Sequence, residues 1–287
     1  MTTQYGPLVR LWGLQYSQLP NSSANPEELK QLLTSLFSEA LPFIKDVSAS
    51  NSAWKRNGTK TYAVSTAPVE LYSRVVPADA LKLVAKEHES VKTDRNKIVS
   101  ESWYLRRSVH EDAAKNGTAT WDEFVKSFKQ EHAETEKNFT PNIESTHLFQ
   151  QWACSGLEIE VDGDTWVDWT LKFEESVHKL PAPLTKRVFP VIQATASAKG
   201  RRDFLVVQVL VEGGPESEGS KGALKAAYTS VERVREGQGG IEWTMGTVSN
   251  ARGVLPQWIQ NLSVSGLVAK DVSMFLEWIA KQRKSQA

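Results

Sequence analysis

The sequence predicts an α+β fold in which a curved antiparallel β-sheet wraps around one long C-terminal helix. The second half of the chain contains three pairs of strand-like segments, each pair joined by a glycine-containing turn. After the last pair, apolar residues recur at helical spacing from about Val254 to Lys284. One helix cannot fill the inner face of so large a sheet, so the volume left over is expected to form an apolar cavity.

The first half of the chain alternates helical and strand-like segments. Asn25 and Pro26 supply an N-cap and a first-turn proline for a helix over 26–45, which Pro42 ends or kinks. The remaining segments are predicted in chain order as a loop (46–60), a strand interrupted by Pro68 (61–76), a short helix (77–88), a strand (99–109) and a helix (120–138). Thr120 and Glu123 form a predicted capping box at the start of that last helix.

The three hairpins of the second half each carry glycine in the turn, where positive φ is needed. Their strands are predicted over 156–162 with 164–174, 186–196 with 202–212, and 224–236 with 240–249. We predict one folded unit, in which an N-terminal extension and helix (1–58) packs on a domain spanning 59–287.

Composition narrows the function classes. Lys plus Arg number 34 and Asp plus Glu number 34, so the formal net charge is zero and offers no global attraction to nucleic acid. Cys154 is the single cysteine, which excludes an internal disulfide and suits a reducing compartment. The sequence shows no secretion signal and no apolar run long enough for a membrane span, so we expect a cytoplasmic protein without an integral membrane segment.

Three segments carry a family resemblance: Ser102–His110, Trp121–Phe124 followed by His132 and Glu136, and Ile241–Ile259. Together they are similar to the START-related, helix-grip superfamily, and more specifically to its fungal branch of uncharacterised proteins, over roughly residues 60–282. The resemblance implies a helix-grip fold whose cavity holds a sterol, phospholipid, polyketide or terpenoid. Because some relatives in this superfamily are cyclases or aromatases, it also allows an enzyme of secondary metabolism.

Strand parity separates the side chains of the 99–109 segment into two faces. Trp103, Leu105 and Arg107 share one face, whereas Tyr104 and Arg106 lie on the other. One arginine is therefore expected to point inward, and Arg107 is the first choice because it accompanies Trp103. A buried arginine needs a partner, which is either a carboxylate such as Glu242 or Asp168, or an anionic group of a ligand.

Further ligand-binding candidates come from apolar or amide side chains on predicted inward positions. They are Trp103, Leu105, Trp169, Gln193, Gln208, Trp243, Met245, Leu255, Trp258 and Phe275. Each tryptophan either fills the core or forms a wall for a flat ligand. Each glutamine either faces solvent or hydrogen-bonds a ligand.

No motif for metal, nucleotide or serine-triad chemistry is present. The five histidines lack zinc spacing, and His132 is predicted on a helix surface. We therefore expect no cofactor and no metal. If the chain is a catalyst, the polar candidates are Arg107, Glu242, Tyr104 and Asp168, acting by proximity and proton transfer on a folded ligand.

Three functions remain open from the sequence. The first is binding or transfer of an apolar small molecule, and the second is a cofactor-independent cyclase or isomerase acting on such a molecule. The third is an interaction module whose cavity is vestigial. The ligand's identity and the oligomeric state are not encoded in any motif of the chain.

Overall fold

The computed structural model describes residues 7–45, 47–88, 91–182, 184–250, 252 and 257–286. Within the last helix, side chains are described for residues 266 and 268–285. The helices among these residues are α1 Pro26–Ile44, α2 Ala78–Glu87, α3 Trp121–Phe124, α4 His132–Phe139 and α5 Gln257–Gln286. A π-helical turn, Val125–Gln130, joins α3 to α4.

Twelve strands lie in the described part of the chain. They are β1 Leu14–Gln15, β2 Lys55–Lys60, β3 Val69–Val76, β4 Glu101–His110, β5 Ile143–Trp152, β6 Ile159–Val161, β7 Asp164–His178, β8 Arg187–Ala198, β9 Asp203–Glu212, β10 Leu224–Lys225, β11 Ala227–Gly237 and β12 Gly240–Asn250. All twelve belong to one sheet, and nine of them follow one another in the order β2-β3-β4-β12-β11-β9-β8-β7-β5, with every neighbouring pair antiparallel. Strands β1, β6 and β10 pair with β9, β7 and β8 outside that path.

Helix α1 covers one face of the sheet, and we call this side the α1 face. Its helical apolar positions pack against inward residues of the central strands in one buried cluster, which includes Leu29, Leu33, Phe37, Trp103, Leu105, Trp166, Trp169, Ile192, Leu205 and Val207. The N-cap Asn25 accepts a hydrogen bond from the Glu28 amide at 3.1 Å and so fixes the start of α1. The side chains between α1 and the central strands form a closed core.

Helices α3, α4 and α5 cover the opposite face, which we call the α5 face. A second buried cluster lies there and is largely aromatic; it includes Phe124, Phe128, Phe139, Phe204, Trp243, Val272 and Phe275. At the end of α5, Arg283 Nε donates to Glu123 Oε1 at 2.6 Å, which ties the C-terminal helix to α3. Since the aromatic cluster fills only one end of this face, space remains beside it.

The architecture confirms the predicted α+β fold with a large antiparallel sheet and a long C-terminal helix. The second and third predicted hairpins are β8–β9 and β11–β12. The predicted loop at 46–60 is wrong in part, because its end forms β2, an exposed edge strand without apolar alternation. The first predicted hairpin is also incomplete, because most of β7 pairs with β5, a strand that was not predicted from the sequence.

Candidate functional site

A cavity of about 430 Å³ lies between the sheet and helices α4 and α5 on the α5 face. We call it the main cavity. Its volume falls in the range of roughly 300–1,000 Å³ that is usual for small-molecule sites. Strands β7, β8, β9, β11 and β12 supply its floor, and the loop after α4 and the helix α5 supply the rest.

Apolar side chains supply most of the surface of the main cavity, and polar residues that include Ser176, His178 and Lys270 line it as well. Of the apolar side chains, Phe189, Val191 and Met245 come from the sheet, and Val268 and Met274 come from α5. These side chains carry no charge and offer a ligand only dispersion and hydrophobic contact. The cavity can therefore shelter an apolar body from water.

The inner end of the cavity is polar. A small chamber of about 20 Å³ shares Glu136, Gln208, Tyr228, Met245 and Asp271 with the main cavity, and so continues it inward. Besides Tyr228, its titratable side chains come from four different elements: Arg106 on β4, His132 and Glu136 on α4, Glu232 on β11 and Asp271 on α5. We call these five residues the inner polar cluster.

Arg106 is the central cation of the inner polar cluster, and only 3% of its side chain is exposed. Its Nη2 donates to Glu232 Oε1 at 3.1 Å, and its guanidinium carbon lies 3.8 Å from the centroid of the Trp243 ring. Its Nε and Nη1 have no hydrogen-bond partner among the described residues. A buried guanidinium with two unused donors can receive an acceptor group from a ligand.

Glu232 anchors the cluster by accepting three contacts. Besides Arg106, Trp243 Nε1 donates to its Oε1 at 2.6 Å, and its Oε2 lies 3.4 Å from Nε2 of His132. Burial by itself raises the pKa of Glu232, but the contacts with His132 and Arg106 outweigh it, so this pKa lies below its usual value. Glu232 is therefore the fixed anion of the site.

His132 shares that charge balance. Burial lowers the pKa of His132, but its hydrogen bond to Glu232 and the charge of Glu136 outweigh burial and hold the pKa above its ordinary value. Its Nδ1 lies 3.9 Å from Glu136 Oε2 and has no hydrogen-bond partner in the described part of the chain. The Nδ1 atom of His132 is therefore a second buried polar atom at the inner end that a ligand can contact.

Two further carboxyl groups face the same chamber from the helices. Burial raises the pKa of Asp271 to about 7, although Arg106 partly offsets the effect. Burial likewise raises the pKa of Glu136, with His132 opposing it. Near neutral pH Asp271 can hold a proton, so it can donate a hydrogen bond to a ligand or exchange a proton with it.

Local sequence explains how α4 presents its polar groups inward. Thr120 and Glu123 form the predicted capping box, with hydrogen bonds of 3.2 and 2.7 Å, and this box fixes the start of α3, the helix that precedes α4. The π-helical turn Val125–Gln130 then inserts an extra residue into the helical repeat. After this turn, His132 lies buried beside Phe128, with ring centroids 6.3 Å apart.

Arg107, the predicted inward arginine, lies on the α1 face and does not line the cavity. Its side chain is 26% exposed and forms ion pairs with Glu70 at 2.8 Å and Glu242 at 2.5 Å. Parity correctly separated the two arginines, but the assignment of Arg107 to the cavity is wrong. Trp103, which guided that choice, belongs to the closed core beneath α1.

The other catalytic candidates do not come together either. Glu242 is on the α1 face, paired with Arg107 and Arg235. Asp168 is exposed at an irregular point of β7 with a φ of 53°, and its backbone carbonyl accepts a hydrogen bond from Lys129. Tyr104 shares the face of Arg106 but lines neither chamber.

The ligand-binding candidates fall into three groups. Gln208 and Met245 line the cavity, and Gln208 is held by Gln193, whose Oε1 accepts from Gln208 Nε2 at 3.0 Å. Trp243 and Phe275 are buried in the aromatic cluster beside the inner end. The remaining candidates are Trp103, Leu105 and Trp169 in the core of the α1 face, Leu255 outside the described residues, and Trp258, whose side chain is also outside them. Binding by those that line the cavity stays a prediction.

Sequence reasoning missed most of the inner polar cluster. His132 was predicted on a helix surface, yet it is 8% exposed. Glu232 precedes Arg233 in a strand where charges alternate with apolar residues, so nothing local marks it as buried. The available signal was parity: Glu232 shares its strand face with Val234, which is an apolar core position.

Comparison with known proteins shows the family. Residues 103–279 match a family described as "Protein of unknown function (DUF3074)". Because the matched residues make up more than half of the chain, the chain belongs to this family. No curated protein matches it in sequence. Residues outside 103–279 include α1, β2 and β3.

Solved structures show the fold. Human StAR-related lipid transfer protein 5 is 10% identical with a TM-score of 0.57, covering 90% of this chain and 100% of that one. Human STARD10 is 13% identical with a TM-score of 0.53, covering 96% of this chain and 86% of that one. The protein therefore has the START-like helix-grip fold, as its sequence motifs predicted; membership of a fungal branch stays a prediction.

The described helices also bear on membrane insertion. None of them combines the length and apolar character that a transmembrane crossing requires.

Proposed function

We propose that the protein binds an apolar small molecule with one polar end, of the lipid, sterol, polyketide or terpenoid type, in the main cavity. The single observation that carries this proposal is a cavity with a largely apolar surface that continues into a buried polar chamber. Apolar side chains such as Val191 and Met274 line the main cavity, while Arg106 keeps unused donors and His132 an unpartnered ring nitrogen in the inner chamber. The name of one structural neighbour, a lipid transfer protein, supports the same ligand class.

The polar end of the ligand is expected to be an acceptor or an anion. Arg106 presents two donor atoms without partners, and His132 presents one ring nitrogen without a partner. A carboxylate, phosphate or enolate placed there would complete their hydrogen bonds in a site shielded from water, where such contacts are strongest. We place this activity in the cytoplasm, which suits the buried free thiol of Cys154.

The test is native mass spectrometry of the full chain after incubation with total lipid extract, followed by titration of the ligand found. Wild-type protein should retain a discrete ligand mass. Arg106→Met should weaken binding about tenfold or more, since a lost charged hydrogen bond costs on the order of 1.5–3 kcal/mol. Arg107→Met is the matched control, because it removes the same charge from the neighbouring position on the opposite face, and it should stay within about twofold of wild type.

Two outcomes contradict the proposal. No retained mass from any extract would favour an interaction module whose cavity is vestigial. Equal weakening by both arginine variants would show that Arg106 acts through net charge and not through contact with the ligand.

We also propose, as a second candidate, a cofactor-independent enzyme of secondary metabolism, of the isomerase or cyclase type. One observation favours it: a His132–Glu232 pair and Asp271, whose pKa lies near 7, face the same chamber. Groups of this kind can move a proton between two positions of a bound ligand.

This second candidate is tested in deuterium oxide with the ligand identified above. Isomerisation should produce a new product or place deuterium at carbon, and His132→Phe should abolish both while ligand binding persists. Recovery of the unchanged, undeuterated ligand from wild-type protein would leave binding as the function.

A further inference from the structure

A second cavity, of about 510 Å³, lies on the α1 face and is separated from the main cavity by the sheet. We call it the α1 pocket. It is formed by the N-terminal segment, α1, β3 and the end of α2, through Pro7, Arg10, Ser35, Ser38, Glu39, Pro42, Phe43, Arg74 and His88. All of these residues precede the stretch that matches the family.

Two arginines line the α1 pocket without a carboxylate partner. Neither Arg10 nor Arg74 forms an ion pair with any described residue. Arg10 donates from Nη1 to the Val9 carbonyl at 2.6 Å, while its Nε is fully buried and has no hydrogen-bond partner in the described residues. The Arg74 guanidinium lies over the Phe43 ring, 5.1 Å from its centroid.

The two cations also repel each other. The pKa of Arg74 is lowered, first by burial and then by the positive charge of Arg10. Half-buried like charges at close range raise the free energy of the empty pocket. An anion between them would remove that cost and supply acceptors for the guanidinium groups.

Glu39 lines the pocket but is committed to another task. Its two carboxylate oxygens accept hydrogen bonds from the backbone amides of Leu8, at 2.8 and 2.7 Å, and Val9, at 3.0 Å. Burial raises the pKa of Glu39 to about 7 in spite of those amides and of Arg10. Glu39 therefore holds the segment that carries Arg10. Glu39 and Glu101 interact electrostatically with Arg10, but neither lies within ion-pair distance of Arg10 or Arg74.

From this geometry we propose that the α1 pocket binds a phosphate monoester dianion between Arg10 and Arg74. A phosphate group near neutral pH carries a charge of about −1.5 to −2, which matches two guanidinium groups, whereas a carboxylate carries one charge. Ser38 and His88, which also line the pocket, can donate further hydrogen bonds. The phosphate can belong to a soluble metabolite or to the head group of a lipid in a membrane.

The experiment measures binding of inorganic phosphate to the full chain by isothermal titration calorimetry, with acetate as the singly charged comparison. Wild-type protein should bind phosphate saturably, and Arg74→Gln and Arg10→Gln should each weaken it about tenfold or more. Lys86→Gln is the matched control, since it removes one exposed positive charge from nearby α2, and it should stay within about twofold. Thermal melting of each variant confirms that it is folded.

A vesicle arm identifies the source of the phosphate. Flotation with phosphatidylcholine vesicles containing phosphatidic acid should recover wild-type protein but not Arg74→Gln if the head group is the source. Phosphate binding without flotation assigns a soluble phosphate. The proposal is overturned if the protein binds neither inorganic phosphate, with a dissociation constant below about 10 mM, nor the phosphatidic acid vesicles. It is also overturned if acetate binds as well as phosphate, or if Lys86→Gln weakens phosphate binding as much as Arg74→Gln.

Discussion

Neighbouring arginines on β4 show how differently the two faces of the sheet treat a charge. Arg107, on the α1 face, is 26% exposed and has a carboxylate on each adjacent strand, Glu70 and Glu242. Arg106, on the α5 face, is 3% exposed, has one carboxylate, and keeps two unused donors. The first is a satisfied surface network, whereas the second is a buried site that lacks an acceptor.

The same contrast holds for apolar residues. Directly beneath α1 the side chains fill the space over the central strands, so Phe37 contacts Trp166 and Trp169 with ring centroids 5.2 and 4.3 Å apart. On the α5 face the aromatic cluster fills one end and leaves a cavity of about 430 Å³ over the central strands at the other. The core beneath α1 therefore supplies stability, whereas the region beneath α5 gives up packing to form the main cavity.

The largest effect is expected from the closed core. Phe37→Ala should lower the free energy of unfolding by about 3–5 kcal/mol, because a fully buried aromatic ring is lost and a void remains. Met274→Ala, on the cavity wall, should cost less than the roughly 2–5 kcal/mol of a fully buried methionine, since its side chain already borders open space. Urea unfolding of both variants checks this. Equal losses would show that the main cavity is packed as tightly as the α1 face.

The next effect tests the buried pair itself. Arg106→Met should lower the free energy of unfolding by about 3 kcal/mol, because Glu232 remains buried without its cation. The double variant Arg106→Met with Glu232→Leu should recover much of that loss, because the carboxylate that lost its cation is removed and His132 can become neutral without Glu232. Thermal and urea unfolding measure both. If the double variant is no more stable than the single one, the main contribution of Glu232 to stability is its contacts with Trp243 and His132, and not its pairing with the charge of Arg106.

Asp271 should make stability depend on pH. Its pKa in the folded protein, about 7, lies above its ordinary value of 3.8. At a pH between these two values, Asp271 therefore releases a proton when the protein unfolds. The free energy of unfolding therefore falls as pH rises through that window. Asp271→Asn should flatten this fall in urea unfolding at pH 5 and pH 8, whereas Asp79→Asn, on the exposed surface of α2, should leave it unchanged.

The affinity for an anionic ligand should also fall as the pH rises. Deprotonation of Asp271 adds a negative charge beside Arg106, so an anionic ligand is expected to bind more tightly at pH 6 than at pH 8. The Asp271→Asn variant should lose most of that difference in the same titration. Tighter binding at pH 8 would indicate a cationic polar end.

The smallest effect belongs to the exposed network. Arg107→Ala should change the free energy of unfolding by about 1 kcal/mol or less, because partly exposed ion pairs are screened by solvent. The change should shrink further in high salt. A loss as large as that of Arg106→Met would remove the distinction between the two faces.

Local patterns predicted much of the fold. Helical spacing identified α1 and α5, the capping box at Thr120 identified α3, and glycine turns identified the last two hairpins. Each of these signals lies within a few residues of the element that it predicts. The strands β2 and β5 were missed because edge strands carry mixed polar residues with weak alternation.

The candidate site was predicted only in outline. Gln208 and Met245 reached the cavity wall as expected, whereas Arg107, Glu242 and Asp168 did not. Parity shows which residues share a face, but both faces of this sheet are covered by helices. An aromatic neighbour therefore does not reveal which face holds the cavity.

By itself, the sequence determined the order of the elements, the α+β class, the family motifs and the division of each strand into two faces, because these depend on local spacing and turn chemistry. Only the tertiary structure decided that the face of Arg106 is the one beneath α5. It also brought together Arg106 and Glu232, 126 residues apart, with His132 and Asp271 from two helices. Such a cluster depends on sheet order and helix docking, which no local pattern encodes.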